Sequence, residues 1–134
     1  MKNLFFILSS LFLITSCNDD DEKDNRTSEL KGTWKLTEVY SDIGNRTGQF
    51  SVIESEKTIT FNKNGKLVSN GEMCDFAITT IKPSSGTYNI KDSTITINNC
   101  NLPPASIHFS IDKSSNLIIT FPCIEECKMK FQKL

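Results

Sequence analysis

The fold of this chain is decided most clearly by residues 106–121, which read SIHFSIDKSSNLIITF. Apolar and polar side chains alternate from Ile107 to Ile111, turn-forming residues follow at 112–115, and a second apolar run ends at Phe121. Alternation with a period of two is typical of a strand with one buried face. Two such runs joined by a short polar turn predict an antiparallel β-hairpin.

The same pattern recurs on both sides of this hairpin. Turn signals such as Asn62-Lys63-Asn64-Gly65 separate the alternating runs. Segments 41–55 and 71–85 lack clear alternation, so we expect loops or bulges there. Helical periodicity is nearly absent from this part of the chain. The further strands are predicted at residues 33–40, 57–61, 66–69, 86–90, 94–97 and 128–132.

About eight sequential antiparallel strands predict an all-β domain. A small antiparallel up-and-down barrel is the favoured architecture because closing the sheet removes its exposed edges. A small sandwich is the alternative. The inner face of the strands is bulky, which predicts a mostly filled interior. In the first strand, Trp34, Leu36 and Tyr40 share one face. The inward set is Trp34, Phe61, Tyr88, Ile95, Ile97, Phe109, Ile111, Phe121 and Phe131.

The N-terminus has the pattern of an export signal. Lys2 precedes an apolar run at 4–14 that is too short to span a bilayer, which predicts a signal helix. The following Ile14-Thr15-Ser16-Cys17 resembles the lipobox of bacterial lipoproteins. That resemblance implies a signal peptide at 1–16 and acylation of Cys17 with fatty acids such as palmitate. Secretion with cleavage at a small residue is the alternative.

Residues 18–29 (NDDDEKDNRTSE) contain six acids, two bases and no apolar side chain. Such a segment has too little apolar surface to fold, which predicts a lipidated, solvated tether over residues 17–29. The acidic block after Cys17 resembles the surface-export signal of Bacteroidetes lipoproteins. It implies an outer-membrane lipid anchor that displays the domain on the cell surface. A hydrophilic spacer facing the periplasm is the alternative.

The 105 residues at 30–134 are enough for one small domain. They carry 12 Lys and Arg against 10 Asp and Glu, a net charge of +2, so the acidity of the chain belongs to the tether. The lysines and arginines of this domain do not form the dense basic patch expected for nucleic-acid binding. We expect a monomer whose partners are membrane lipid, through Cys17, and a small apolar ligand or an envelope protein.

Four cysteines follow the tether, and three pairings of them are possible. Export makes oxidation the expected state. Cys123 and Cys127 flank a short turn and would face each other across an antiparallel pair, which favours a bond between them and a second bond between Cys74 and Cys100. The other pairings stay open. Only one close pair exists, so no four-thiolate metal site is predicted.

The opening of the first strand carries a family resemblance. Residues 30–36 (LKGTWKL), the hairpin at 58–65 and the final strand at 130–134 are similar to the lipocalin-like domains of Bacteroidetes lipoproteins. The resemblance implies a lipocalin-like barrel over 30–134 in which Trp34 closes one end. It also implies a late basic residue packed on this tryptophan, here Lys128 or Lys130. Trp34, together with Tyr88 and Phe109, is a candidate for either ligand contact or plain core packing.

The sequence offers little catalytic chemistry. Phosphate-binding glycine loops, His-Glu-x-x-His zinc motifs and nucleophile elbows are absent from it. His108 points away from the apolar face, and Glu125 and Glu126 are neighbours in a turn. We therefore expect a protein that is not an enzyme, with no catalytic residue, cofactor or metal.

One turn resembles a modification site. Asp92-Ser93-Thr94 is similar to the O-glycosylation sites of Bacteroidetes proteins and is expected at an accessible hairpin tip. Ser93 would carry the glycan. An ordinary polar turn is the alternative.

Two functions fit these features. The first is a membrane-anchored binding module that holds a small apolar ligand at the cell envelope. The second is a non-enzymatic interaction or accessory protein of the envelope, or an inhibitor of secreted hydrolases, acting through loops 41–55 and 71–85. A ligand-sized cavity would favour the first, because the fold alone does not determine function.

Overall fold

Alternating side chains and short turns produce a sheet that closes on itself. The computed structural model describes residues 19–42, 47–104 and 106–134; the signal segment 1–16 and Cys17 lie outside them. Within these residues, no helix is long and apolar enough to cross a membrane. The elements are α1 (Asp19–Leu30), β1 (Gly32–Ser41), β2 (Gln49–Val52), β3 (Thr58–Phe61), β4 (Lys66–Ser69), β5 (Ser84–Asn89), β6 (Thr94–Ile97), β7 (Ile107–Ile111), β8 (Leu117–Phe121) and β9 (Cys127–Lys133).

Eight of the strands form the closed ring. β1 pairs with β3, each later strand pairs antiparallel with the next, and β9 returns to β1. Trp34 lies opposite Lys133, and Leu36 lies opposite Phe131, at the closing pair. The predicted all-β up-and-down barrel of about eight strands is confirmed, and the sandwich alternative is not adopted.

β2 was not predicted, because it lies in the segment without alternation. It pairs with the second half of β1, whereas β3 pairs with the first half of the same edge. β2 and β3 therefore share one position in the ring, and residues 53–57 lie between them. Two hydrogen bonds hold this junction to β1: Ile53 N donates to Thr37 O at 3.0 Å, and Leu36 N donates to Lys57 O at 2.9 Å.

A β-bulge in β1 changes which side chains face inward. The pairing with β9 shifts between Leu36 and Glu38, so one extra residue is inserted there. One inserted residue turns every later side chain to the opposite face. Val39 therefore packs against the core, whereas Tyr40 lies against Phe50 with 5.4 Å between ring centroids. The prediction that Tyr40 faces inward was wrong for this reason.

Side chains fill the interior of the barrel. Of the nine residues predicted to face inward, eight are at most 9% exposed; Ile111 is only half-buried. An eight-stranded barrel has an interior just wide enough for such side chains. The rest of the hydrophobic core is formed by Leu30, Leu36, Ile59, Leu67, Met73, Ile90, Ile107, Leu117, Ile119 and Met129.

Because neighbouring strands are antiparallel, successive connections lie alternately at the two ends of the barrel. The helix end is formed by the C-terminus of α1 and the turns at 62–65, 90–93 and 112–116. The loop end is formed by the connections after β1, β4, β6 and β8, of which the structure describes residues 42, 47–48, 70–83, 98–104, 106 and 122–126. Met73, from the long connection 70–83, is fully buried, so this connection covers the loop end of the core.

The prediction of an unfolded tether was wrong, because α1 occupies most of that segment. Acidic residues in the first turn of a helix are favoured by its macrodipole. The last turn is fixed by Leu30, which is 1% exposed and packs into the core. Lys31 N donates to Thr27 O at 3.0 Å and continues the helical bonding past Leu30. The apolar residue that holds the helix thus lies just beyond the polar segment.

Two disulfide bonds join Cys74 to Cys100 and Cys123 to Cys127, with Cα–Cα distances of 5.4 and 5.9 Å. This is the pairing that the sequence favoured. The geometry expected for the second bond was wrong, because Cys127 lies opposite Phe121 in the ladder. Cys123 lies in the turn, and its bond closes that turn.

Candidate functional site

Trp34 lies directly beneath the end of α1. Its indole Nε1 donates to Leu30 O at 2.8 Å, and the side chain is 1% exposed. Lys133 Nζ lies 5.1 Å from the centroid of the Trp34 ring and donates to Glu29 O at 2.6 Å. These bonds satisfy two carbonyl groups that a helix C-terminus otherwise leaves without partners. Trp34 is thus a core residue that also fixes α1.

The late basic residue on this tryptophan is not one of those expected. The register of the closing pair places Lys133 opposite Trp34. Lys128 and Lys130 lie nearer the start of β9. Their Nζ atoms lie 5.2 Å from the ring centroid of Tyr40 and 4.1 Å from that of Phe50, respectively. The expectation for Lys128 or Lys130 was therefore wrong.

Two clefts flank α1 at the helix end. The Phe109 cleft, of about 260 Å³, is lined mainly by Arg26, Glu29, Leu30, Ile90, Phe109 and Ile111. The Tyr88 cleft, of about 430 Å³, is lined mainly by Thr27, Lys63, Tyr88, Ile90 and Lys91. Ile90 belongs to both clefts and joins their apolar floors. The larger cleft falls within the range of about 300–1,000 Å³ that is usual for small-molecule sites.

The floor of the Tyr88 cleft is rigidly held. The Tyr88 hydroxyl donates to Asn62 O at 2.5 Å, and its ring lies edge-on to Phe61 with 5.1 Å between centroids. Burial raises the pKa of Tyr88, and a hydrogen bond with the backbone of Gly65 opposes that shift. The phenol therefore stays neutral at physiological pH, with its proton already committed to a carbonyl group.

The rims of the clefts are basic. Arg26, Lys63 and Lys91 are exposed, and none forms an ion pair with a side chain that the structure describes. Among the described lining residues of the two clefts, Glu29 is the one acid, and it lies in the Phe109 cleft with Arg26. The Tyr88 cleft thus combines an apolar floor with two uncompensated lysines.

The structure separates the three candidate ligand residues. Tyr88 and Phe109 are each 9% exposed and each line one cleft, whereas Trp34 lies deeper in the core. Ser93 lies at the edge of the Phe109 cleft, half-buried and with a φ of 53°. It is therefore less accessible than the hairpin tip that the sequence predicted. His108 is exposed, as expected.

Sequence reasoning missed Lys57 at the loop end. Its side chain is 0% exposed, and Nζ donates to Glu72 O and Ala77 O. The alternation that places Ile59 and Phe61 inward also places Lys57 on that face, so the signal was present in the sequence. The ammonium group ties the connection 70–83 to the barrel.

Burial lowers the pKa of Lys57 to about 8, because desolvation penalises the charged form. The carboxylates of Asp75 and Glu72 partly oppose this shift. The Glu72 carboxylate accepts from Cys74 N at 3.0 Å and pairs with Lys82 at 2.9 Å. Lys82 is the main cause that lowers the pKa of Glu72. Lys57 is a fully enclosed structural cation rather than an accessible nucleophile.

Among the described residues, one group of potential metal ligands includes two residues of the connection 70–83. Ligand atoms of Glu72, Cys74 and Cys100 lie within 4.8 Å of one another. The two sulfur atoms are bonded to each other, so neither offers a thiolate. In the oxidised protein, only the Glu72 carboxylate of this group is available for coordination.

The loops of the alternative function carry exposed apolar side chains. Ile81 is 88% exposed, Ile78 is 41% exposed and Val52 is 84% exposed. Ser55 Oγ donates to Ile78 O at 2.7 Å, so segment 53–57 and the connection 70–83 are in contact.

Comparison with known proteins gives one finding. The family model described as "Lipocalin-like domain" matches residues 30–116, from the end of α1 to the turn before β8. No match was found among curated proteins or among solved structures.

Proposed function

We propose, since the chain belongs to the lipocalin-like domain family, that it is a non-enzymatic binding module for a small molecule with an apolar part. The observation that carries this proposal is the pair of clefts beside α1, whose apolar floors meet at Ile90. Because side chains fill the barrel, the ligand lies at the helix end instead of inside the ring.

We also infer that the module is a lipoprotein of the Bacteroidetes type, held at the outer membrane by acylated Cys17. The chain enters the barrel through α1, whose 12 residues correspond to about 18 Å of helix. This places the clefts at the end of the barrel from which the chain leads to Cys17. Two or three acyl chains would hold the protein stably in the membrane.

Cell fractionation tests the anchor. Cys17→Ala should release the protein from the membrane fraction or block its maturation, whereas Ser28→Ala, on the exposed surface of α1, should leave it membrane-bound. Membrane association of Cys17→Ala equal to that of the parent protein would contradict the anchor.

Tryptophan fluorescence tests ligand binding, because Trp34 is the single tryptophan of the chain and contacts the end of α1. Titration with soluble decyl-chain amphiphiles should change its emission with saturation. Ile90→Gln should weaken this response at least about ten-fold by placing an amide on the shared apolar floor. Val68→Gln, on the outer face of β4, is the matched control and should bind normally. A failure of every amphiphile to bind would overturn the proposal.

Exposed Ile78 and Ile81 favour a second candidate function, an envelope interaction protein or hydrolase inhibitor acting through the loops. Crosslinking in intact cells would test it. A discrete protein adduct that Ile81→Ser abolishes and Ile124→Ser preserves would support this function. Absence of any adduct would oppose it.

A further inference from the structure

The two clefts differ in charge. The Tyr88 cleft has lysines on two sides, Lys63 from the β3–β4 turn and Lys91 from the β5–β6 turn. None of the lining residues that the structure describes is acidic. The nearest acid in sequence, Asp92, accepts a hydrogen bond from Asn89 Nδ2 at 3.0 Å. Both lysines therefore have ammonium groups available to a ligand.

The apolar floor continues away from these lysines. Ile90 connects the Tyr88 cleft to the Phe109 cleft, where Phe109 and Ile111 extend the apolar surface. Lys63 and Lys91 lie at one side of this surface, and Phe109 and Ile111 form the other side, whose rim carries Arg26 and Glu29. A ligand that complements both parts must itself be amphipathic.

The wider distribution of charge at the helix end is mixed. Each of the three turns at the helix end contains one exposed lysine, at positions 63, 91 and 113. Most acids of the barrel domain lie toward the loop end, at positions 42, 54, 56, 72, 75, 125 and 126. Asp92, Asp112 and the acidic helix α1 also lie at the helix end, so any attraction for an anion is local to the cleft between Lys63 and Lys91.

We propose that the ligand of the helix end carries an anionic head group, bound between Lys63 and Lys91, and an apolar tail that lies on Ile90 and Phe109. This inference rests on the proposed function of the clefts. The shared chemistry is a carboxylate or phosphate group on an alkyl chain. Ammonium groups form charge-assisted hydrogen bonds with either anion.

The experiment uses the chain from residue 18 onward, since the closed ring, both disulfides and all core residues lie within positions 30–134. Three probes share a decyl chain and differ in the head group: decyl phosphate, 1-decylglycerol and decyltrimethylammonium. Each is titrated below its micellar concentration while Trp34 emission is recorded. Decyl phosphate should bind at least about ten-fold more tightly than 1-decylglycerol, and the cationic probe most weakly.

Two variants separate the site from general attraction. Lys63→Gln/Lys91→Gln should reduce the affinity for decyl phosphate by about ten-fold, since each rim lysine contributes about two- to five-fold, and should leave 1-decylglycerol binding unchanged. Lys113→Gln removes one positive charge from the third turn, which lines neither cleft, and should change the affinity by less than about two-fold, less than either Lys63→Gln or Lys91→Gln alone.

The outcomes distinguish this inference from the proposed function. Equal affinity for the phosphate and glycerol probes, or an equal loss in Lys113→Gln, overturns the anionic site while the apolar site stands. If no probe binds, both proposals fail. Competition by inorganic phosphate as effective as decyl phosphate would show a site for the free anion and would overturn the role of the apolar floor.

Discussion

At the scale of single residues, Lys57 shows how a polar side chain can be placed by an apolar pattern. Alternation through Ile59 and Phe61 places position 57 on the inner face whatever residue is there. A buried charge is costly unless it is paired, and here two carbonyl groups from the connection 70–83 accept its hydrogen bonds. The inward orientation of Lys57 could be predicted from the sequence. Its hydrogen-bond partners could not be predicted, because they belong to a segment without regular structure.

The lowered pKa of Lys57 predicts a rise in stability at alkaline pH. Below pH 8 the amine is protonated in both the folded and unfolded states, so the cost of burying the charge is present in full. Between about pH 8 and 10.5 the unfolded chain binds a proton that the folded chain does not, so the free energy of unfolding increases with pH. The full gain is about 3 kcal/mol.

Urea denaturation of the parent protein and of Lys57→Met at pH 7, 8, 9 and 10 measures this effect. Subtracting the free energy of unfolding of the variant from that of the parent protein removes the contribution of other titrating groups, such as Tyr88, that both proteins share. Above pH 8, the free energy of unfolding of the parent protein should increase relative to that of Lys57→Met. Parallel pH profiles would show that Lys57 titrates normally.

At the scale of elements, the regular strands could be predicted and the exceptions could not. β3 to β9 follow from alternation and turns. β2 has no such pattern and pairs only because β1 offers a free edge beyond β3. The prediction that Tyr40 faces inward failed because the alternation of apolar and polar residues does not reveal where a β-bulge inserts a residue. α1 was missed because its fixation depends on Trp34 and Lys133, which are distant in sequence.

The docking of α1 depends on Leu30. Leu30→Ala should lower the free energy of unfolding by about 2–5 kcal/mol, the usual cost of truncating a buried leucine. It should also shift Trp34 emission to longer wavelength as the helix C-terminus leaves the indole. Lys31→Ala, at an exposed neighbouring position, is the control. Unchanged emission and stability in Leu30→Ala would contradict the docking.

The two disulfides should differ in their contribution to stability. The sequence separation is 26 residues for Cys74–Cys100 and 4 for Cys123–Cys127. Loss of closure entropy then gives about 3.5 and about 2 kcal/mol, respectively. Urea denaturation of the two double cysteine-to-serine variants measures both. A larger loss from the 123/127 pair would show that strain or local contacts outweigh chain entropy.

At the scale of the whole molecule, closure of the sheet and filling of its interior determine where a ligand can bind. Both were predictable, because eight strands with bulky inner side chains leave little free volume. The position of the candidate site was not predictable. It arises where α1 crosses turns that are far apart in sequence, and the sequence indicated Tyr88 and Phe109 only as members of the inward set.

The most direct test of a helix-end site in a filled barrel is amide chemical-shift mapping during titration with decyl phosphate. We predict saturable shifts at Tyr88, Ile90 and Phe109 and at residues 26–30, with little change at Met73 and Met129 in the core near the loop end. Shifts concentrated at Met73, Met129 and the connection 70–83, with the helix end unaffected, would contradict the account.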